Sequence, residues 1–222
     1  MKIKAIITGA TGMVGEGVLH ECINNPDIES VLVINRRTIN TKHPKLKETI
    51  LSNFFDYSNI KDQLKGYDAC FHCLGTTSVG KNEEEYRQTT YELTKALADI
   101  LVKQNPAMTF CYVSGAGTDS SEKGKVMWAR IKGRTENYIL SLGFRKAFMF
   151  RPAHILHTKG LKNTLTLYKI FYPLIIVVKT FFPKYVCTLK ELGTAMINSV
   201  IKDFGKKILE VEDIKALAYK NN

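Results

Sequence analysis

Residues 137–190 contain no aspartate and no glutamate, although nine lysines and arginines fall in the same stretch. The whole chain carries 32 basic against 21 acidic residues, a formal charge of +11, and part of that excess is concentrated there. Such a field suits phosphate-bearing small ligands, an anionic membrane surface met peripherally, or an acidic protein. Nucleic acid is disfavoured, because the basic residues are mixed with aliphatics and form no recognised groove-reading motif. Long apolar runs are missing too. The most apolar segment, 171–182, contains Pro173 and Lys179 and falls short of the ~20 residues that a spanning helix needs. It is expected to be an amphipathic or buried helix that walls a ligand pocket, with a membrane-surface contact as the alternative.

The first apolar run ends at Gly9, too soon for a signal peptide or a membrane span. Five cysteines, an odd number without a secretory signal, lead us to expect a reduced, cytoplasmic protein without disulfides. Cys70 and Cys73 have the spacing of a metal or redox pair. No second Cys/His pair completes a zinc site, however, and residues three apart on a strand face opposite sides, so no metal is expected. Repeats, low-complexity tracts and linkers are absent, which leaves one domain over 1–222, elaborated at 154–190 on the substrate side or surface. A homo-oligomer is compatible with this composition.

What is present is a rhythm of short β-rich apolar runs and longer helix-compatible stretches. That rhythm predicts an α/β fold: a three-layer α/β/α sandwich around a doubly wound parallel sheet of about seven strands, the Rossmann arrangement. The strands are expected near 4–8, 30–35, 47–51, 69–73, 109–114, 146–151 and 207–211. Helices are expected at 15–24, 83–103, 125–142 and 191–201.

The first strand runs straight into Gly9-Ala10-Thr11-Gly12-Met13-Val14-Gly15, and helix-compatible residues follow. A dinucleotide needs this order of parts. Gly9 permits the tight turn, Gly12 removes the side chain that would block the pyrophosphate, and Gly15 lets the helix pack on the strand. Free amides around Thr11, Met13 and Val14 and the helix dipole then face the phosphates. The second strand ends in Asn35-Arg36-Arg37, with no acid to bond a ribose 2′-hydroxyl. Two guanidinium groups there suit a 2′-phosphate, which favours NADP over NAD.

These residues, with Phe55-Asp56-Tyr57, Cys73-Leu74-Gly75-Thr76-Thr77, Tyr112-Val113-Ser114, Lys132-Gly133 and Phe150-Arg151-Pro152, resemble the atypical short-chain dehydrogenase/reductase families. The likeness runs to about residue 193 and is nearest the branch that includes the Tat-interacting tumour-suppressor oxidoreductase. The resemblance implies that Asp56 and Tyr57 border the adenine, that Leu74, Gly75 and Thr76 run along the cofactor, and that Pro152 and Ala153 approach the nicotinamide. It also implies a catalytic Ser, Tyr and Lys. Ser114 matches the serine and Lys132 the lysine, which would also grip the ribose, but Trp128 stands where the tyrosine is expected. An indole N–H only donates and does not titrate in water, so the usual proton relay is broken.

Two readings follow. In the first, the chain is an NADP(H)-dependent oxidoreductase or nucleoside-sugar-epimerase-like enzyme acting on a small molecule, its proton drawn from water, Tyr112, Tyr138 or the loop 119–122. In the second, it is a non-catalytic NADP(H)-binding sensor or regulatory protein that meets a partner or a membrane surface. His154 and His157 read as acid–base groups or as satisfied loop histidines.

Overall fold

The computed structural model describes residues 2–158, 160, 161, 163 and 183–220. Its strands are β1 (Ile3–Thr8), β2 (Ile28–Asn35), β3 (Leu46–Ile50), β4 (Ala69–His72), β5 (Thr109–Val113), β6 (Lys146–Arg151), β7 (His154–Leu156), β8 (Val186–Thr188) and β9 (Ile208–Glu210). Seven of them form one parallel sheet in the order β3-β2-β1-β4-β5-β6-β9, and β7 pairs with β8 in a small parallel ribbon.

A parallel sheet covered on both faces demands strands that are apolar throughout, and β1 is buried along nearly its whole length. The pleat sends alternate residues to opposite cores. Ala5 and Ile7 join Val18 of α1 (Met13–Asn24) and the core against which Leu192 and Met196 pack from a C-terminal helix. Ile6 joins Leu97 and Leu101 on the other face, together with Ile139. The helices that supply those side chains, after a short α2 (Glu83–Arg87), are α3 (Leu93–Gln104), α4 (Met127–Ser141) and α5 (Leu189–Ile201), and α6 (Val211–Tyr219) adds Ile214 and Leu217 to the first core. Helices therefore cover both faces, and the expected layered, doubly wound architecture is the one observed.

Three local features depart from the sequence expectation. The helix expected over 83–103 is interrupted by a π-helical turn at Gln88–Glu92. There Thr94 donates its hydroxyl hydrogen to the Thr90 carbonyl, a side chain entering the backbone ladder. The β7–β8 ribbon has strands of three residues, too short to show a period. Helix α6 was not expected, yet Val211, Ile214, Leu217 and Ala218 recur at helical spacing and are its buried face. The helix expected at 171–182 lies outside the described residues. Among the described residues no helix is long and apolar enough to cross a membrane.

Candidate functional site

The strand order reverses between β1 and β4, and ligands of open α/β sheets sit beyond the carboxyl ends of strands at such a point. The glycine turn occupies it. Gly9 has φ +77°, and a Cβ there would lie 2.7 Å from the Cys73 carbonyl and the Leu74 nitrogen, so the turns after β1 and β4 meet only over a glycine. A Cβ on Gly15 would stand 2.2 Å from the Gly9 oxygen, so the first turn of α1 also requires a glycine. Gly12 differs: its φ of −99° is open to any residue, and an added Cβ would meet only the Gly9 oxygen, at 3.4 Å. Packing within the chain leaves room for a side chain at position 12. Gly12 caps α1 without a side-chain hydrogen bond, so those first-turn N–H groups have no intrahelical acceptor.

Beyond the ends of β2, β3 and β4 lies a cavity of about 270 Å³, lined by Arg36, Asn53, Phe55, Gly75, Thr76 and Lys81 among others. Leu74 lines it as well, so three of the residues expected along the cofactor are brought together with Arg36. Arg37 is exposed and is not among the residues that line it. Asp56 and Tyr57 are not brought into this cavity. They line a neighbouring one of about 430 Å³ that shares Phe55 as its wall. The Asp56 carboxylate accepts the Ser58 N–H at 2.8 Å, which holds its carboxyl below the usual range. The Tyr57 hydroxyl is buried without a hydrogen-bond partner among the described residues.

On the other side of the switch point, Ser114, Lys132 and Pro152 converge, and Ala153 follows Pro152 and packs on the core. A Cβ on Gly115 would be 3.8 Å from the Lys132 Nζ and 3.9 Å from the Pro152 oxygen. Lys132 donates to the Ser114 carbonyl. Burial lowers its ammonium to about 8, against the opposing pull of the Glu136 carboxylate. The Ser114 hydroxyl donates to Glu136 Oε1 at 2.5 Å, with the Phe150 carbonyl a second acceptor at 3.2 Å. A hydroxyl has one hydrogen, and the buried carboxylate takes it.

Glu136 and Arg151 are what sequence reasoning missed. Glu136 is fully buried and faces the Arg151 guanidinium, which donates from Nε to Oε1 at 3.0 Å and from its second terminal nitrogen to Oε2. Arg151 also reaches Ser120 Oγ at 2.5 Å and Glu210 Oε1 at 3.4 Å, tying the loop after β5 to the ends of β6 and β9. The available signal was the spacing of Glu136 four residues after Lys132, on the same face of α4.

Trp128 is half-buried one turn before Lys132 and packs with Tyr86, Tyr91 and Ile131, its ring edge beside Gly117. The other proton sources expected are already engaged. Tyr112 is buried and burial raises its hydroxyl far above the ordinary value. Tyr138 donates to Asp99 at 2.5 Å. In the loop 119–122, the Asp119 carboxylate accepts from Ser121 and from the Gly124 N–H. His154 is exposed on β7, and His157 is half-buried immediately after its end.

His72 closes the floor of the switch point. Thr94 gives its hydrogen to the Thr90 carbonyl, so its oxygen accepts from His72 Nε2 at 3.0 Å, and Nδ1 accepts from the Thr8 hydroxyl at 2.8 Å. The neutral Nε2–H tautomer follows, and burial pushes the imidazole down to about 3. Cys70 and Cys73 pack on opposite faces of the sheet, and no cluster of metal-ligating side chains occurs among the described residues.

Residues 5–126 match the family described as the NAD dependent epimerase/dehydratase family. Protein FMP52, mitochondrial, of Candida albicans is 28% identical over 171 residues, 73% of each chain. The protein of the same name from Eremothecium gossypii is 26% identical over 225 residues, 97% of this chain and 96% of the relative. Among solved structures, the Bordetella bronchiseptica enzyme WbmH in complex with NAD+ shares the fold at a TM-score of 0.68 and 16% identity, covering 95% of this chain and 75% of that one. These relatives correct the expected cytoplasmic location, because they are named mitochondrial proteins. Unpaired cysteines point to a reducing compartment without telling one such compartment from another.

Proposed function

The chain belongs to the NAD dependent epimerase/dehydratase family, and on that premise we propose that it is an NADP(H)-binding oxidoreductase or nucleoside-sugar-epimerase-like enzyme working without a catalytic tyrosine. The observation that carries the reading is Gly12, a glycine that internal packing does not need, at the mouth of a turn whose other two glycines it does need. In this reading the amides from Thr11 to Gly15 hold the pyrophosphate, and Arg36 and Arg37 meet a 2′-phosphate. Asp56 and Tyr57 border the adenine, and Leu74 to Thr76 line the adenosine path. Lys132 grips the nicotinamide ribose, and Pro152 with Ala153 backs the ring. The bound cofactor supplies or accepts a hydride.

The chain's own contribution is positional. The chain's likeness is nearest the Tat-interacting branch, and Trp128 departs from the family's tyrosine, offering a flat surface in place of a titrating group. The relatives' names support a mitochondrial setting. A single Rossmann unit carrying the 154–190 elaboration fits the same reading.

A second reading, a non-catalytic NADP(H) sensor, draws on one observation: the Ser114 hydrogen is committed to Glu136, so Ser114 has none to give a substrate carbonyl. Mixing the protein with NADPH and a panel of aldehydes, quinones and flavins separates the two. Loss of nicotinamide absorbance that Lys132→Ala abolishes supports the enzyme. Tight NADPH binding without turnover supports the sensor, and a gain of carbonyl reduction in Trp128→Tyr identifies the tyrosine position as the missing part.

A further inference from the structure

The cavity beyond β2, β3 and β4 has two cationic side chains in its wall, Arg36 and Lys81, and no carboxylate. Like charges sharing one cavity repel unless an anion lies between them, so their counter-charges decide what the cavity is for.

Lys81 has three glutamates within four residues, and all are engaged elsewhere. Glu83 pairs with Arg130 at 2.7 Å, Glu84 pairs with Arg87 at 2.7 Å, and Glu85 accepts the Asn82 N–H at 3.1 Å in a capping box. Glu48 on β3, the strand paired with β2, accepts from Thr38 Oγ1 at 2.7 Å and from the Ile39 N–H at 2.9 Å. Neither Arg36 nor Lys81 makes an ion pair among the described residues. Lys81 is nonetheless held in place: Thr89 gives its hydroxyl hydrogen to the Glu85 carbonyl at 2.9 Å, so its oxygen accepts from Lys81 Nζ at 3.3 Å. One ammonium hydrogen is anchored to the wall, and two remain for a ligand.

We propose that Lys81, from the loop after β4, completes with Arg36 a two-sided clamp for the phosphate on the adenosine ribose, and so sets the preference for NADPH over NADH. The assignment rests on the reading of the site as an NADP(H) site. A planar guanidinium on one side and a compact ammonium on the other give a dianionic phosphate donors from two directions. The two cations enter from different loops, so the clamp assembles only in the folded sheet.

Calorimetric titration of the intact protein with NADPH, NADH and adenosine 2′,5′-bisphosphate tests it. Lys81→Ala and Arg36→Ala are each expected to weaken NADPH and the bisphosphate about tenfold or more, as loss of a hydrogen bond to a charged group does. NADH binding stays unchanged, and Lys81→Arg keeps most of the NADPH affinity. Lys81→Gln, which retains a polar side chain for Thr89, guards against a folding defect and loses affinity in the same way. Unchanged NADPH affinity in Lys81→Ala overturns the assignment, as does an equal loss for NADPH and NADH, which would put the lysine on the diphosphate. A wild-type protein that binds NADH as well as NADPH overturns the clamp while leaving the dinucleotide site standing. One that binds neither removes both.

Discussion

Glu136 accepts the Ser114 hydroxyl hydrogen at 2.5 Å while its carboxylate faces the Arg151 guanidinium. The three residues come from β6, α4 and the end of β5, so one buried carboxylate fixes the corner where Lys132 and Pro152 meet. Breaking a buried pair by removing one partner leaves an uncompensated charge and costs about 3–5 kcal/mol. Glu136→Leu should lose that much in urea unfolding, and Glu136→Leu combined with Arg151→Met should recover most of it. Equal losses in the single and double variants would show that the pair is not the link.

The three glycines of the first turn should separate by experiment. Gly15→Ala places a methyl 2.2 Å from the Gly9 oxygen and is expected to destabilise the fold and abolish dinucleotide binding together. Gly12→Ser adds a favoured capping residue at an unstrained φ, so stability should stay within about 0.5 kcal/mol of wild type. Binding of NADPH should nevertheless be lost. Thermal melts alongside calorimetry check both halves.

Lys132 gives a pH dependence whose sign is fixed. Burial lowers its folded-state value to about 8, below the ~10.4 of an exposed lysine. Below pH 8 both states are charged and the fold bears the full desolvation cost. Between those values only the unfolded chain holds the proton, so stability rises with pH by up to about 1.4 kcal/mol per unit. Wild type should therefore gain on Lys132→Met between pH 8 and 10 in denaturant unfolding, and a flat difference would contradict the burial.

His72 should act at the opposite end of the scale. Its imidazole is pushed down to about 3 by burial, against ~6.5 in the unfolded chain. The unfolded state alone takes the proton between those values, so stability is lost as pH falls from about 6.5 toward 3. His72→Asn should lose less over that range. Nitrogen NMR should find the neutral Nε2–H tautomer at pH 5, and an imidazolium there would refute the hydrogen-bond assignment.

The sheet was legible because its central strands are short apolar runs closed by turns, and the parallel order follows from the helices between them. Gly9 and Gly15 were legible because the backbone geometry admits no other residue. The commitment of Ser114 to Glu136 was not, since it depends on where α4 lies against β6, a tertiary fact that spacing along one helix does not carry. The role of Lys81 is not legible either, since three glutamates follow it closely in the chain and only the folded structure gives each of them another partner. The period of α6, by contrast, is written in the sequence as Val211, Ile214, Leu217 and Ala218.

Trp128 is the one tryptophan of the chain and stands one turn from Lys132, so its fluorescence reports on the pocket without a label. Titrating NADPH into the wild-type protein while exciting Trp128 should give saturable quenching with one-to-one stoichiometry, absent in Gly12→Ser. Unquenched fluorescence at millimolar NADPH or NADH, from protein shown to be folded, would contradict the account.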